Sequence, residues 1–295
     1  MMPRTLALAA RAAALTPPAL DRPLSAALGR VWCAADPARR SAVAGNRRAL
    51  GAAFPLHAPF VRYVHALAGW LRLLDATPES VRAMSRVEGL APLLEARDAG
   101  RGTVLVAAHV GEWEWGAVAL ASRGLEVVAV AGTQLRAPWT EALAHAKRAL
   151  GVEVVDPRTS PAALVRGLAR ALGRGAVVAL LVDGDVATAR RSAALGGARC
   201  ALPLGPGRLA AQSGARLVAG RCERERAQAY HVRLVTLDDG LAARDEAARF
   251  ERVRAWLAAT LAEDPGRWCL FREFFVDEFV DEAPPAARAQ AIPAR

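Results

Sequence analysis

The sequence predicts an α/β fold: a mainly parallel central sheet flanked by helices, with a helical N-terminal extension. Three observations predict it. From Arg86 onward, apolar or β-branched runs bounded by glycine alternate with stretches of helical periodicity, the pattern of strands joined by helical crossovers. Before that point the apolar spacing is helical and broken by prolines. One apolar strand, Thr103-Val-Leu-Val-Ala-Ala, is buried in character and runs straight into His109.

Taken in order, residues 5–50 have helical spacing at Leu6, Leu8 and Leu15, then at Leu24, Leu28, Val31 and Trp32, interrupted by Pro17-Pro18 and Pro23. Arg39-Arg40 and Arg47-Arg48 give the last of these helices a basic face, and Phe54-Pro55 ends it. The next helix, about 59–75, is the most amphipathic piece of the chain, with Phe60, Val64, Leu67, Leu71 and Leu74 on one stripe and Trp70 beside them. Such a stripe either packs on a core or dips into lipid headgroups. Strands are predicted at 103–108, 126–130, 152–155, 176–182, 216–220 and 230–235. Helices are predicted at 89–97, 112–122, 138–150, 161–173, 205–213 and 244–262. The division is therefore a membrane-associating helical extension (1–83), an α/β domain (84–280) and an unstructured, Pro/Ala/Arg-rich tail (281–295).

Composition narrows the partners. The chain has 295 residues, 53% of them hydrophobic, a net charge of +10 and a pI near 10.8. Such a balance attracts anionic lipid, acyl carrier protein, coenzyme phosphates or nucleic acid, and charge alone does not choose among them. Lys147 is the only lysine, and no nucleic-acid-binding signature is present. The four cysteines, Cys33, Cys200, Cys222 and Cys269, are far apart and form no disulfide framework or zinc motif, so no metal is expected. No apolar run reaches the roughly 18–20 residues of a spanning helix, so membrane contact is expected to be peripheral.

The chemistry centres on His109, followed five positions later by Glu114. A carboxylate one helical turn beyond a strand-end histidine can hold one imidazole nitrogen and leave the other as a base. That base could deprotonate a hydroxyl as it attacks a thioester carbonyl, with no nucleophilic serine and no metal. A histidine that merely caps a strand gives the same spacing, so the pair alone does not decide. A second constellation, Asp183-x-Asp185 with His109, would suit a metal-dependent phosphohydrolase. A non-catalytic basic binder is the third class.

Around His109 the chain reads His109-Val-Gly111-Glu112-Trp113-Glu114. It resembles the His-x4-Asp/Glu signature of the bacterial lipid A biosynthesis acyltransferase family, in the lysophospholipid acyltransferase superfamily, with Glu112 where asparagine is usual. The resemblance runs from about Asn46 to Trp268. It includes Val87-Glu-Gly89 with Gly100-Arg-Gly102, Leu150-Gly151-Val-Glu-Val after Lys147, Leu180-Leu-Val-Asp183-Gly-Asp185, Pro203-Leu-Gly205-Pro206 and Pro265-Gly-Arg-Trp268. Before Gly197 the family's two phenylalanines are replaced by Ala194-Leu195-Gly196, which predicts a smaller wall there.

The resemblance implies a fold like that of glycerol-3-phosphate acyltransferases. It also implies O-acyl transfer from acyl-acyl carrier protein or acyl-CoA to a lipid or glycolipid hydroxyl, without a bound cofactor, at the cytoplasmic face of the inner membrane. Lysophospholipid, phosphatidylinositol mannoside and aminoacyl-lipid acceptors stay open. By the same resemblance His109 and Glu114 are catalytic, and Asp183 pairs with Lys147 or Arg148. Arg136 meets a phosphate, Gly205 offers backbone N–H groups, Trp113 lines an acyl groove, and Asp185 completes an acidic pair.

Overall fold

The computed structural model describes residues 12–13, 15–130, 137–157, 160–184, 189–226 and 229–275. Arg136, Asp185, the far N-terminal segment and the expected tail at 281–295 lie outside the described residues. The fold is α/β with helices at the N-terminus. Seven strands, β1 (Ser85–Glu88), β2 (Thr103–Ala107), β3 (Val127–Val130), β4 (Val152–Val155), β5 (Val177–Leu181), β8 (Arg216–Arg226) and β9 (Ala229–Thr236), form one sheet in the order β1-β9-β8-β2-β5-β3-β4. The remaining two, β6 (Arg190–Leu195) and β7 (Ala198–Pro203), form a separate hairpin.

All pairs in the large sheet are parallel except β8 with β9. β2 is the middle strand, and its burial explains its composition. Val104 and Val106 face one core with Leu168 and Leu172 of helix α8 (Pro161–Gly173), Leu209 of α9 (Gly205–Ser213) and Leu257 of α10 (Glu246–Glu263). Leu105 faces the other, with Val118 and Leu120 of α6 (Trp113–Ala121), Trp70 and Leu73 of α3 (Ala58–Leu73), and Leu143 of α7 (Ala137–Ala149). A parallel strand covered by helices on both faces needs apolar residues without alternation.

The N-terminal layer consists of α1 (Pro18–Ala35), α2 (Pro37–Ala49) and α3, followed by the short α4 (Pro78–Met84) and, after β1, by α5 (Ala91–Asp98). α3 lies between α1 on one side and α6 on the other. The helix therefore packs inside the protein, but on a shifted face: Phe60, Ala66, Trp70 and Leu73 are buried, whereas Val64, Leu67, Leu71 and Leu74 of the expected stripe are only partly covered. A buried ion pair ties this layer to the sheet. Asp21 of α1 accepts from Arg72 of α3 at 2.8 Å and lies 3.4 Å from Arg224 of β8.

Three strands and one helix are absent from the sequence reading. β1, β6 and β7 lack an apolar run: Arg86 and Glu88 alternate into solvent in β1, and Arg190, Arg191 and Arg199 interrupt the hairpin. β1 exists because it pairs in register with β9. The segment before Gly197, expected to form a smaller wall, is thus the turn of a hairpin. α4 is announced only by its Thr77/Ser80 capping box.

Candidate functional site

His109 stands just past the carboxyl end of β2, and Asp183 just past the carboxyl end of β5. β2 and β5 are parallel neighbours, so residues 74 positions apart meet where ligands collect in such sheets. The His109 Nδ1–H donates to Asp183 Oδ1 at 2.9 Å, and the His109 backbone N–H donates to Oδ2 at 2.9 Å. Trp268 Nε1–H gives the carboxylate its third bond, to Oδ2 at 2.8 Å. Arg272 reaches the Asp183 carbonyl at 2.6 Å.

The partners of Asp183 come from a segment that returns late in the chain. After α10, a 3₁₀ turn at Pro265–Arg267 brings Trp268 into a bridge with Val110, and Cys269 N–H bonds to the His109 carbonyl at 2.8 Å. Asn46 of α2 clasps that segment from outside, donating to the Arg272 carbonyl at 2.8 Å and accepting from Phe274 N–H at 3.0 Å. The sequence had flagged Trp268 without a role; the pleat of this return gives it one.

Burial pushes the Asp183 carboxyl up. The His109 charge, with hydrogen bonds from His109 and Trp268, outweighs that and leaves it below its ordinary value. The pair is dry: His109 is 2% exposed and Asp183 fully buried. The Trp113 ring lies edge-on to the imidazole at 5.1 Å.

Two expected pairings are exchanged. Asp183, rather than Glu114, holds the imidazole. Glu114 instead accepts from Lys147 Nζ at 2.7 Å, so Lys147 does not pair with Asp183. The reason is the direction of α6. Glu112 sits at its N-cap and Glu114 in its first turn, which aims Glu114 across the sheet toward α7. Arg148, next to Lys147, is exposed and points away.

Trp115, by contrast with Trp113, is core: it stacks on Tyr230 at 3.8 Å and donates to the Gly69 carbonyl. Gly205 opens α9 (Gly205–Ser213), whose Gly207 packs against Arg249 of α10.

The turn between His109 and α6 requires a glycine. Gly111 has φ of +72°, and a Cβ there would lie 2.3 Å from the Cys222 carbonyl oxygen. That same carbonyl accepts from Glu112 N–H at 2.7 Å, so the loop is pinned to β8. Glu112 itself turns inward and is 3% exposed. Its Oε1 lies 3.3 Å from Arg224 Nε, while Oε2 has no hydrogen-bond partner. Burial raises its carboxyl to about 7 against the opposing pull of Arg224 and Arg72. His65, 3.9 Å from Glu112, is pushed down to about 3 by burial and Arg224, so it is neutral and forms no true ion pair.

Beside the buried pair lies an apolar cavity of about 70 Å³ between the sheet and α6. Leu105, Leu180, Val232 and Leu234 supply its walls, and Gly116 and Gly220 supply its room. Trp113, Glu114 and Lys147 bring the polar groups to it. Among the described residues, no group of three or more His, Cys, Asp or Glu side chains is disposed to hold a metal ion.

A family model described as bacterial lipid A biosynthesis acyltransferase matches residues 7–276. Comparison with curated proteins gives no match.

Proposed function

The chain belongs to the bacterial lipid A biosynthesis acyltransferase family and is a lipid acyltransferase, and from that premise we propose that His109 is the general base and that Asp183 orients it. The carrying observation is the bond from His109 Nδ1 to a carboxylate that accepts two further hydrogen bonds. With Nδ1 protonated and held, Nε2 is the basic nitrogen. It takes the proton of the acceptor hydroxyl as the hydroxyl oxygen attacks the thioester carbonyl carbon. The tetrahedral intermediate collapses, the C–S bond breaks, and the imidazolium returns its proton to the departing thiolate. The products are an ester and a free thiol. Asp183 stabilises the imidazolium between these steps.

Lys147 fixes Glu114 at the cavity, where the carboxylate can accept from the incoming hydroxyl and aim it at the carbonyl. The cavity takes the end of the donor's apolar chain. The donor is an acyl thioester on acyl carrier protein or coenzyme A, and the acceptor a glycolipid of the lipid A type at the cytoplasmic face of the membrane. Both donors are anionic and suit a chain of net charge +10.

The metal-phosphohydrolase alternative loses support at Asp183, whose two oxygens already receive three protein donors.

The test is direct. Purified protein is incubated with acyl-CoA or acyl-carrier-protein donors and a panel of lipid acceptors, and acylated products are detected by mass spectrometry. Product from the wild type, absent with His109→Ala, supports the reading. No product with any donor, or equal product from His109→Ala, ends it.

A further inference from the structure

We propose that α1 is an interfacial helix that seats this protein on an anionic bilayer, with Leu20, Leu24, Leu28 and Val31 immersed among the lipid chains. The inference rests on the acyltransferase reading only in that the bilayer is where the acceptor resides.

The observation is an inverted helix. Along α1 the residues turned into the protein are Asp21, Ser25, Gly29 and Cys33, small or polar and spaced by four. The large apolar residues turn outward: Leu20 is 48% exposed, Leu24 47%, Leu28 58% and Val31 65%. A water-facing helix has the reverse arrangement. Small residues inside and leucines outside are how helices pack when lipid, not water, is their surroundings.

The close contact is real: a Cβ at Gly29 would lie 2.5 Å from the Val61 Cα, so α1 and α3 touch backbone to backbone. The buried Asp21 is matched by Arg72 and Arg224, which removes its charge from the account. The exposed charges left on α1 are Arg22 and Arg30, both positive, as an anionic surface requires.

Immersion is shallow. No described helix is long and apolar enough to cross a membrane. Eighteen residues carrying two exposed arginines lie along the interface instead. A file of rings leads from this helix to the site. Trp32 lies 5.6 Å from Tyr63, Tyr63 6.4 Å from Trp113, and Trp113 5.1 Å from His109. Seating α1 in the bilayer therefore sets the site within three side chains of the lipid.

The experiment uses the full chain and vesicles of phosphatidylcholine with or without phosphatidylglycerol, read by co-sedimentation. Leu24→Glu/Leu28→Glu should lower binding to the anionic vesicles by about tenfold or more. Arg22→Ala/Arg30→Ala should lower it several-fold and remove much of its salt sensitivity. Val165→Glu, which charges an exposed valine on α8 (52% exposed), should leave binding unchanged. Circular dichroism and thermal unfolding establish that each variant is folded.

Acylation in detergent micelles is measured on the same samples. Lost vesicle binding with retained micellar activity supports the seat. Wild-type binding by a folded Leu24→Glu/Leu28→Glu protein overturns it, whatever the activity. So does the same variant splitting a dimer, seen by light scattering, while vesicle binding persists: the stripe would then meet a second copy of this chain. Absence of acylation in the wild type with binding still lost in the variant would sink the catalytic reading and leave the seat standing.

Discussion

Asp183 and Glu112 are both carboxylates buried near the end of β2, yet their protonation is driven in opposite directions. Asp183 receives three hydrogen bonds and faces an imidazole, and its pKa falls despite complete burial. Glu112 has an arginine nearby at 3.3 Å, one oxygen with no partner, and a pKa raised to about 7. Burial is common to both, so the difference lies in the donors. A buried charge is retained where hydrogen bonds replace the water it lost, and is surrendered where a nearby cation alone must do so. Glu114, by contrast, is partly exposed and bonded to one ammonium.

The largest break in this contrast comes from Asp183→Asn. The amide keeps the shape but cannot favour the Nδ1–H tautomer, so kcat should fall by about 10³-fold or more with the fold intact. Steady-state acylation and a melting curve check it together; near-normal kcat would return the orienting role to Glu114.

Glu114→Gln or Lys147→Ala should each cost about 10²-fold, and the double variant scarcely more than either alone, because the two act as a unit. Additive losses in a double-mutant cycle would mean that they act separately.

Glu112→Gln sharpens the comparison through stability. Its folded pKa lies above the unfolded value, so the native state holds a proton that the unfolded chain has released. The associated stability is full below about pH 4.5, the ordinary carboxyl value, and is lost as pH rises through about 7. Glutamine should abolish that loss and raise stability at pH 8 by about 1–3 kcal/mol, read from denaturant melts at several pH values. Asp183 has the opposite sign: its contribution is present above its unfolded value and disappears as pH falls through the lower folded one. An unchanged pH profile in Glu112→Gln would show that Glu112 stays ionised.

The smallest effect is Gly116→Ala. A Cβ there meets only Cys222 Cβ, at 3.5 Å, so the substitution is tolerated and adds about 1 kcal/mol of helix propensity. It also narrows the cavity, and donor preference should move to chains shorter by about one or two carbons. Competition between donors of different length measures it.

Much of the fold was legible because both faces of β2, β3 and β5 are covered, and full coverage writes an apolar run into the sequence. β1 was not, since an edge strand that pairs on one side needs no such run. The helices illustrate the same limit. The apolar spacing of α3 announced an amphipathic helix, but which of its residues were covered depended on the elements packed against it, and those are Phe60, Ala66, Trp70 and Leu73. The apolar spacing of α1 was equally visible, and its direction was not. Only the fold, by placing Asp21, Ser25 and Gly29 inside, turned the leucines out.

By itself the sequence determined the class of sheet, the strand-end histidine and the family signature around it, because these depend on short-range patterns. The tertiary structure decided which carboxylate the histidine meets. The sequence favoured the near one, five residues on. The sheet joined β2 to β5 as parallel neighbours, and strand ends that share an edge of a sheet are close in space however far apart they stand in the chain.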